Sequence, residues 1–301
     1  MGNTVNTGWL LLPALGICWT LVAITLSEAK NRNCSIFAFY CMGSLLSMML
    51  LAILGGTEMM RELGSPEKRF AVCCFAVCAL FNGTGQGITM WNLKKGGRAL
   101  AYAIPQLAFL LPYIWSIFFW NQNLSWRSGC GIFLIVASTV FLSCRKQQAF
   151  DSSLDIRRVL ISCGAMLICG ISQILMITPT QLPAGKALSP LTGACVIQAA
   201  NAMFFMFLTL WNRPASRTVW KNSAKYGVLW GLSAVAAYCV LLPALRMLGK
   251  VGQSGIVFAV GCGMTIALFT LFTVIRYREK QSAPQWVAFA GIVAGIVLVR
   301  I

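Results

Sequence analysis

The chain has 301 residues, of which 58% are hydrophobic and 10% charged, against roughly 25% charged in a soluble domain. These residues cannot supply the polar exterior of a soluble fold, and with no histidine the chain has no His-based hydrolase centre, His-ligated metal or His proton relay. The net charge of +17 lies in short basic clusters between long apolar runs, as in the loops of a membrane protein, not on the single basic face that binds nucleic acid.

A helix needs about 20 mostly apolar residues to cross a bilayer. Such runs stand near 8–27, 35–55, 70–92, 97–120, 127–144, 158–177, 188–211, 225–248, 252–276 and 284–301. They predict an all-α integral membrane protein of ten transmembrane helices, with loops too short to hide a soluble domain. The first run has no basic residue ahead of it and no small-x-small cleavage site, so it reads as a mature helix and not a signal peptide. Most of the 13 cysteines fall inside these runs without a C-x-x-C pair and read as small packing residues.

Lys and Arg concentrate in loops after odd-numbered spans. Lys94, Lys95 and Arg98 follow the third, and Arg145, Lys146, Arg157 and Arg158 follow the fifth. Positive loops stay in the cytoplasm, so both termini are expected outside it, with the chain in the inner membrane. The chain also splits into related halves, 1–150 and 151–301. When Lys95 is set on Lys250, Gly97 meets Gly252, and Ala14–Cys18 matches Ala165–Cys169 at a similar offset. Five spans per half is an odd number, so the second half is expected to lie inverted, as in secondary transporters with a midplane site between repeats.

The second half closes its fourth helix with Glu279, Ser282 and Gln285, and the first has Gln122, Ser125 and Ser128 there. With this pattern the chain resembles the drug/metabolite transporter superfamily, whose ten helices form two EamA-type halves. Gln122 stands where the family carries an acid, which puts a role for that acid in doubt. The segment Phe81-Asn82-Gly83-Thr84-Gly85-Gln86-Gly87-Ile88-Thr89-Met90 and the orientation are similar to the L-rhamnose–proton symporter and its sugar-uptake relatives. The resemblance implies alternating access and uptake of a sugar.

Polar side chains within a bilayer face protein or water. Asn82 and Gln86 share a face of the third span. Gln106 lies on the fourth, Gln173 on the sixth, Gln198 and Asn201 on the seventh, and Gln253 opens the ninth. Amides donate and accept, which suits neutral hydroxyls or zwitterions; interhelical glue is the competing reading. Trp19, Trp91, Tyr102, Trp230 and Tyr238 lie on spans that the superfamily places around its cavity, where rings stack on sugars or cover cations. Trp115, Trp120, Trp126, Trp211, Trp220 and Trp286 sit at span ends as interface anchors. Gly83, Gly85 and Gly87 fit close helix packing, and Pro105, Pro112 and Pro243 can kink helices.

No Asp or Glu falls deep in a span. Glu28, at the end of the first, is the candidate coupling group, with a solvated helix-end charge as the competing reading. Coupling to H+, coupling to Na+ through backbone and hydroxyl oxygens, and no ion coupling at all stay open, and no cofactor is expected. The leading expectation is a non-enzymatic secondary transporter of a small polar metabolite, most readily a sugar, working in the lipid as a monomer or homodimer. Export of amino acids or cationic drugs is the alternative. A membrane-embedded enzyme or a non-transporting subunit stands as the reading of another class.

Overall fold

The computed structural model describes residues 2–94, 104–122, 125–148, 156–183, 185–212, 216–278 and 281–300. Among these every regular element is helical, as the apolar runs require. They are α1 (Gly2–Asn31), α2 (Ile36–Gly64), α3 (Arg69–Lys94), α4 (Leu110–Phe119, entered through the 3-10 turn Leu107–Phe109), α5 (Trp126–Gln148), α6 (Ile156–Ile177, continued by the 3-10 turn Thr178–Gln181), α7 (Pro190–Trp211), α8 (Arg217–Gly249), α9 (Ser254–Tyr277) and α10 (Ala283–Arg300). Seven of them, α1 to α3 and α6 to α9, are long and apolar enough to cross a bilayer. The expected spans near 97–120, 127–144 and 284–301 fall on the shorter apolar helices Ile104–Phe119, Trp126–Leu142 and Ala283–Val299. The chain is thus a multi-pass helical membrane protein.

Residues in the left-handed region end several helices. Asn33 (φ 54) follows α1, Asn121 (φ 48) follows α4, Gly252 (φ 70) follows α8 and Arg278 (φ 52) follows α9. New helices open on serine. The Ser189 hydroxyl accepts the Thr192 N–H at the start of α7, and the Ser216 hydroxyl accepts the Val219 N–H at the start of α8, each satisfying a donor that a helix start leaves bare. At α10 the Ser282 N–H donates to the Gln285 side chain at 2.7 Å. The Ser-x-x-Gln of the sequence pattern thus forms one half of a capping box, the Gln285 side chain accepting from Ser282.

The helices pack mainly across the chain rather than along it. The substantial contacts are α1 with α8 and α9, α2 with α7 and α8, α3 with α6 and α7, α4 with α6 and α9, and α5 with α10. Neighbours trace a closed circuit: α1, α8, the α2–α7 pair, α3, α6, α4, α9 and back to α1. The α5–α10 pair lies beside it, against α9. In a bilayer helices gain little from hiding apolar surface, so close approach at small residues carries the packing. A Cβ on Gly231 would stand 2.5 Å from the Gly43 carbonyl oxygen, and one on Gly131 would stand 2.6 Å from that of Gly295. The Ser47 hydroxyl fastens the first of these crossings, α2 on α8, by donating to the Gly231 carbonyl at 2.9 Å.

Candidate transport pathway

Helix α3 shows how the sequence aims its amides. Val77, Leu80 and Trp91 are exposed and mark its outward side. Gly83 rests on α7, where a Cβ would lie 3.2 Å from Asn201 Oδ1, and Gly85 rests on α6 at Cys169. At 3.6 residues per turn, Asn82 and Gln86 fall between those two glycines on the side turned away from Leu80 and Trp91. They point into the wedge between α6 and α7. Gln86 Nε2 donates to Asn82 Oδ1 at 3.2 Å, which presents the pair as one unit. Trp91, grouped by sequence with the cavity aromatics, instead lies on the outward side at 45% exposure.

Helix α6 is built in the same way. Cys169 faces α3 at Gly85, and Gly170 faces α4, where a Cβ would be 2.7 Å from Leu111. Gln173 falls between them, opposite the exposed Leu167 and Ile171, and its buried Oε1 has no hydrogen-bond partner. The contact of Gly85 with Cys169 and the bond from Asn92 Nδ2 to Ser162 Oγ at 2.9 Å fix the antiparallel register. That register sets Asn82 level with Gln173. The structure therefore sets Asn82 level with Gln173, with Gln86 about one helical turn away along α3 and Asn201 of α7 beside Gly83.

The other candidates lie elsewhere. Gln198, on α7, is fully buried, and neither of its polar atoms has a partner. Trp230 joins Phe39 and Tyr40 of α2 and Phe205 of α7 in an aromatic cluster; Tyr40 stacks on Phe205 at 4.8 Å and meets Trp230 edge-on at 5.2 Å. Trp19 stacks on Phe258 at 6.1 Å and fills the space over Gly261, so it joins α1 to α9. Tyr238 is half-buried on α8 against the main apolar core. Gln106 precedes the 3-10 turn into α4, Gln253 directly precedes α9 and makes no side-chain cap bond, its Oε1 being buried without a partner, and Glu28 lies in the last turn of α1. Tyr102 and Glu279 lie outside the described residues. The 12 described cysteines are all free, as packing residues are.

Sequence reasoning missed the ring partners Phe39, Tyr40 and Phe205. It also missed a polar cluster at one end of the bundle. Gln122 Nε2 and Gln181 Nε2 both donate to Ser254 Oγ, at 2.9 and 3.2 Å. Only the acid-to-amide departure at Gln122 pointed there.

The model of the EamA-like transporter family matches residues 6–144. A curated relative, the probable 4-amino-4-deoxy-L-arabinose-phosphoundecaprenol flippase subunit ArnE of Sodalis glossinidius, is 31% identical over 77 residues, 26% of this chain and 69% of that protein. The chain belongs to the EamA-like transporter family. Subunit ArnF of the corresponding probable flippase of Shewanella sediminis is 36% identical over 63 residues, 20% of this chain and 43% of its own length. The match to it thus spans less than half of that relative. These EamA relatives bear flippase names, and neither is a sugar symporter. A crystal structure of another protein superposes at a TM-score of 0.75 over 97% of this chain and 96% of its own, at 16% identity. That establishes a shared fold.

Proposed function

We propose that the chain is a secondary transporter moving a small, polar, non-anionic solute across the inner membrane by alternating access between two inverted five-helix repeats. One observation carries this reading. Exchanging each helix with the one five places on maps most of the main contacts onto each other, the α9–α10 contact being an exception among the described residues: α1–α8 onto α3–α6, α2–α8 onto α3–α7, α1–α9 onto α4–α6. The pairs α2–α7, α4–α9 and α5–α10 map onto themselves. The left-handed Asn121 and Arg278 hold corresponding places, each just before the position where the sequence pattern calls for an acid. An inverted repeat of this kind supports a site near the midplane between halves, at the level of Asn82 and Gln173, with Gln86 about one turn along α3.

Those amides favour a neutral or zwitterionic solute with hydroxyl or amide groups, such as a sugar. H+ or Na+ is the driving ion, with Glu28 the candidate for proton coupling. The purified protein in liposomes is expected to move radiolabelled sugar or amino acid when a proton or sodium gradient is imposed. Absence of gradient-dependent flux for every solute class would sink the proposal.

The names of the relatives favour a second reading, passage of a lipid-linked sugar headgroup from one leaflet to the other. It predicts that a fluorescent polyprenyl-phosphate sugar changes leaflet in the same liposomes while free sugar does not move.

A further inference from the structure

Three side chains from elements far apart in sequence meet at one end of the bundle. Asn121, with φ 48, turns the chain after α4 so that Gln122 folds back and is buried. Gln181 ends the 3-10 turn after α6. Ser254 is the first residue of α9 and is fully buried. Its single hydroxyl oxygen accepts from both amides. The end of α8 also closes on the cluster, since a Cβ on Gly249 would stand 2.6 Å from Gln181 Nε2. The ends of α4 and α6 and the start of α9 thus meet at one oxygen atom, with the end of α8 packed against Gln181.

We propose that Gln122, Gln181 and Ser254 form the gate that shuts this end of the transport pathway. The proposal rests on the alternating-access reading given above. The sequence count of basic loops assigns this end to the non-cytoplasmic side. Three features separate it from permanent glue. Every bond in it joins neutral groups, which water can replace when the end opens. Each participant adjoins backbone that can change dihedrals in a short stretch: the left-handed Asn121, the positive-φ Gly252 (φ 70) and the 3-10 turn Thr178–Gln181. Hinges are built from such element-terminal residues. The gate also joins α4 to α9, neighbours in the circuit and counterparts in the two halves, whereas the α2–α7 pair at the same end is held by a charged clasp of Glu62 with Lys68, Ser189 and Thr192. The charged pair serves as the fixed post and the neutral cluster as the part that moves.

The test is hydrogen–deuterium exchange of the full chain in lipid nanodiscs, comparing wild type with Ser254→Ala and, separately, Gln122→Ala. A gate predicts several-fold faster exchange at 120–122, 178–183 and 249–256. It also predicts slower exchange at the opposite end, at 88–94 and 156–163, because opening one end closes the other. A role in packing alone gives the faster exchange with no slowing at the far end, and that result overturns the proposal. So does unchanged exchange at both ends. Liposome flux of the wild type separates the two readings. Flux without reciprocal exchange sinks the gate and leaves the transporter. Reciprocal exchange in a chain that moves no solute keeps the gate and sinks the transporter.

Discussion

The Glu62 carboxylate accepts the backbone N–H of Ser189 with both oxygens at 3.1 Å, across 127 residues of sequence. Lys68 Nζ stands 2.6 Å from the same group, and the Thr192 hydroxyl donates to it. Glu62 follows a break in α2 at Gly56 (φ 52, ψ −145), beyond which the helix resumes in a new direction. The loop-side arm of α2 thereby delivers an anion to the N-terminus of α7, where bare N–H groups and the helix dipole favour one.

Replacing Glu62 by Ala therefore lowers the stability of the protein by about 2 kcal/mol, the scale of charge-assisted hydrogen bonds. Glu62→Gln keeps an acceptor for Ser189 and loses less. Thermal unfolding in detergent checks the order: wild type highest, Gln next, Ala lowest.

The crossing of α2 and α8 leaves no room for a methyl group. A Cβ on Gly43 would lie 2.5 Å from Trp230 Cε3 and 2.7 Å from the Gly227 carbonyl oxygen. Gly43→Ala must push α8 away or displace Trp230, with a loss of about 2 kcal/mol or more from overpacking. Gly64 has nothing within 4 Å, so Gly64→Ala serves as the control and leaves the melting temperature nearly unchanged.

Gln198 is buried with neither polar atom hydrogen-bonded. An unsatisfied buried amide is unfavourable by about 1–3 kcal/mol. Gln198→Met keeps the length and removes the polar atoms, so it is expected to raise the melting temperature. A fall would mean that water or another group partners this amide in the bilayer.

For Gln86→Ala the expected signature is the opposite. The side chain is half-buried and bonded only to Asn82, so the melting temperature without ligand stays close to wild type. Binding of a transported solute weakens by about tenfold, the effect of roughly 1.4 kcal/mol, read as a lost ligand-induced thermal shift.

Much of this architecture could be read from the chain itself. Apolar runs located the helices because a bilayer demands long hydrophobic segments. The helix period placed Asn82 and Gln86 on one face. The period could not say which way that face points: the answer came from Gly83 and Gly85, whose lack of side chains lets α7 and α6 flank it. Trp91 shows the limit in reverse, since an aromatic in the right span says nothing about the side it occupies. The cluster at Ser254 was illegible because its partners, Gln122 and Gln181, are far away in sequence and meet it only in the folded bundle.

The exchange of contacts between α1–α5 and α6–α10 also bears on how the protein is made. The main partner of α2 is α7, which begins only at Pro190. At roughly 5–20 residues per second of synthesis, α2 waits in the bilayer for on the order of ten seconds before its partner leaves the ribosome. During that time Glu62 has no Ser189 to hold, and Ser47 has no Gly231. The first five helices have few contacts among themselves, so the newborn half is a loose set of segments that quality-control machinery can engage. A mutation that delays α7 or α8 would act on the survival of the chain before it acted on the finished transporter.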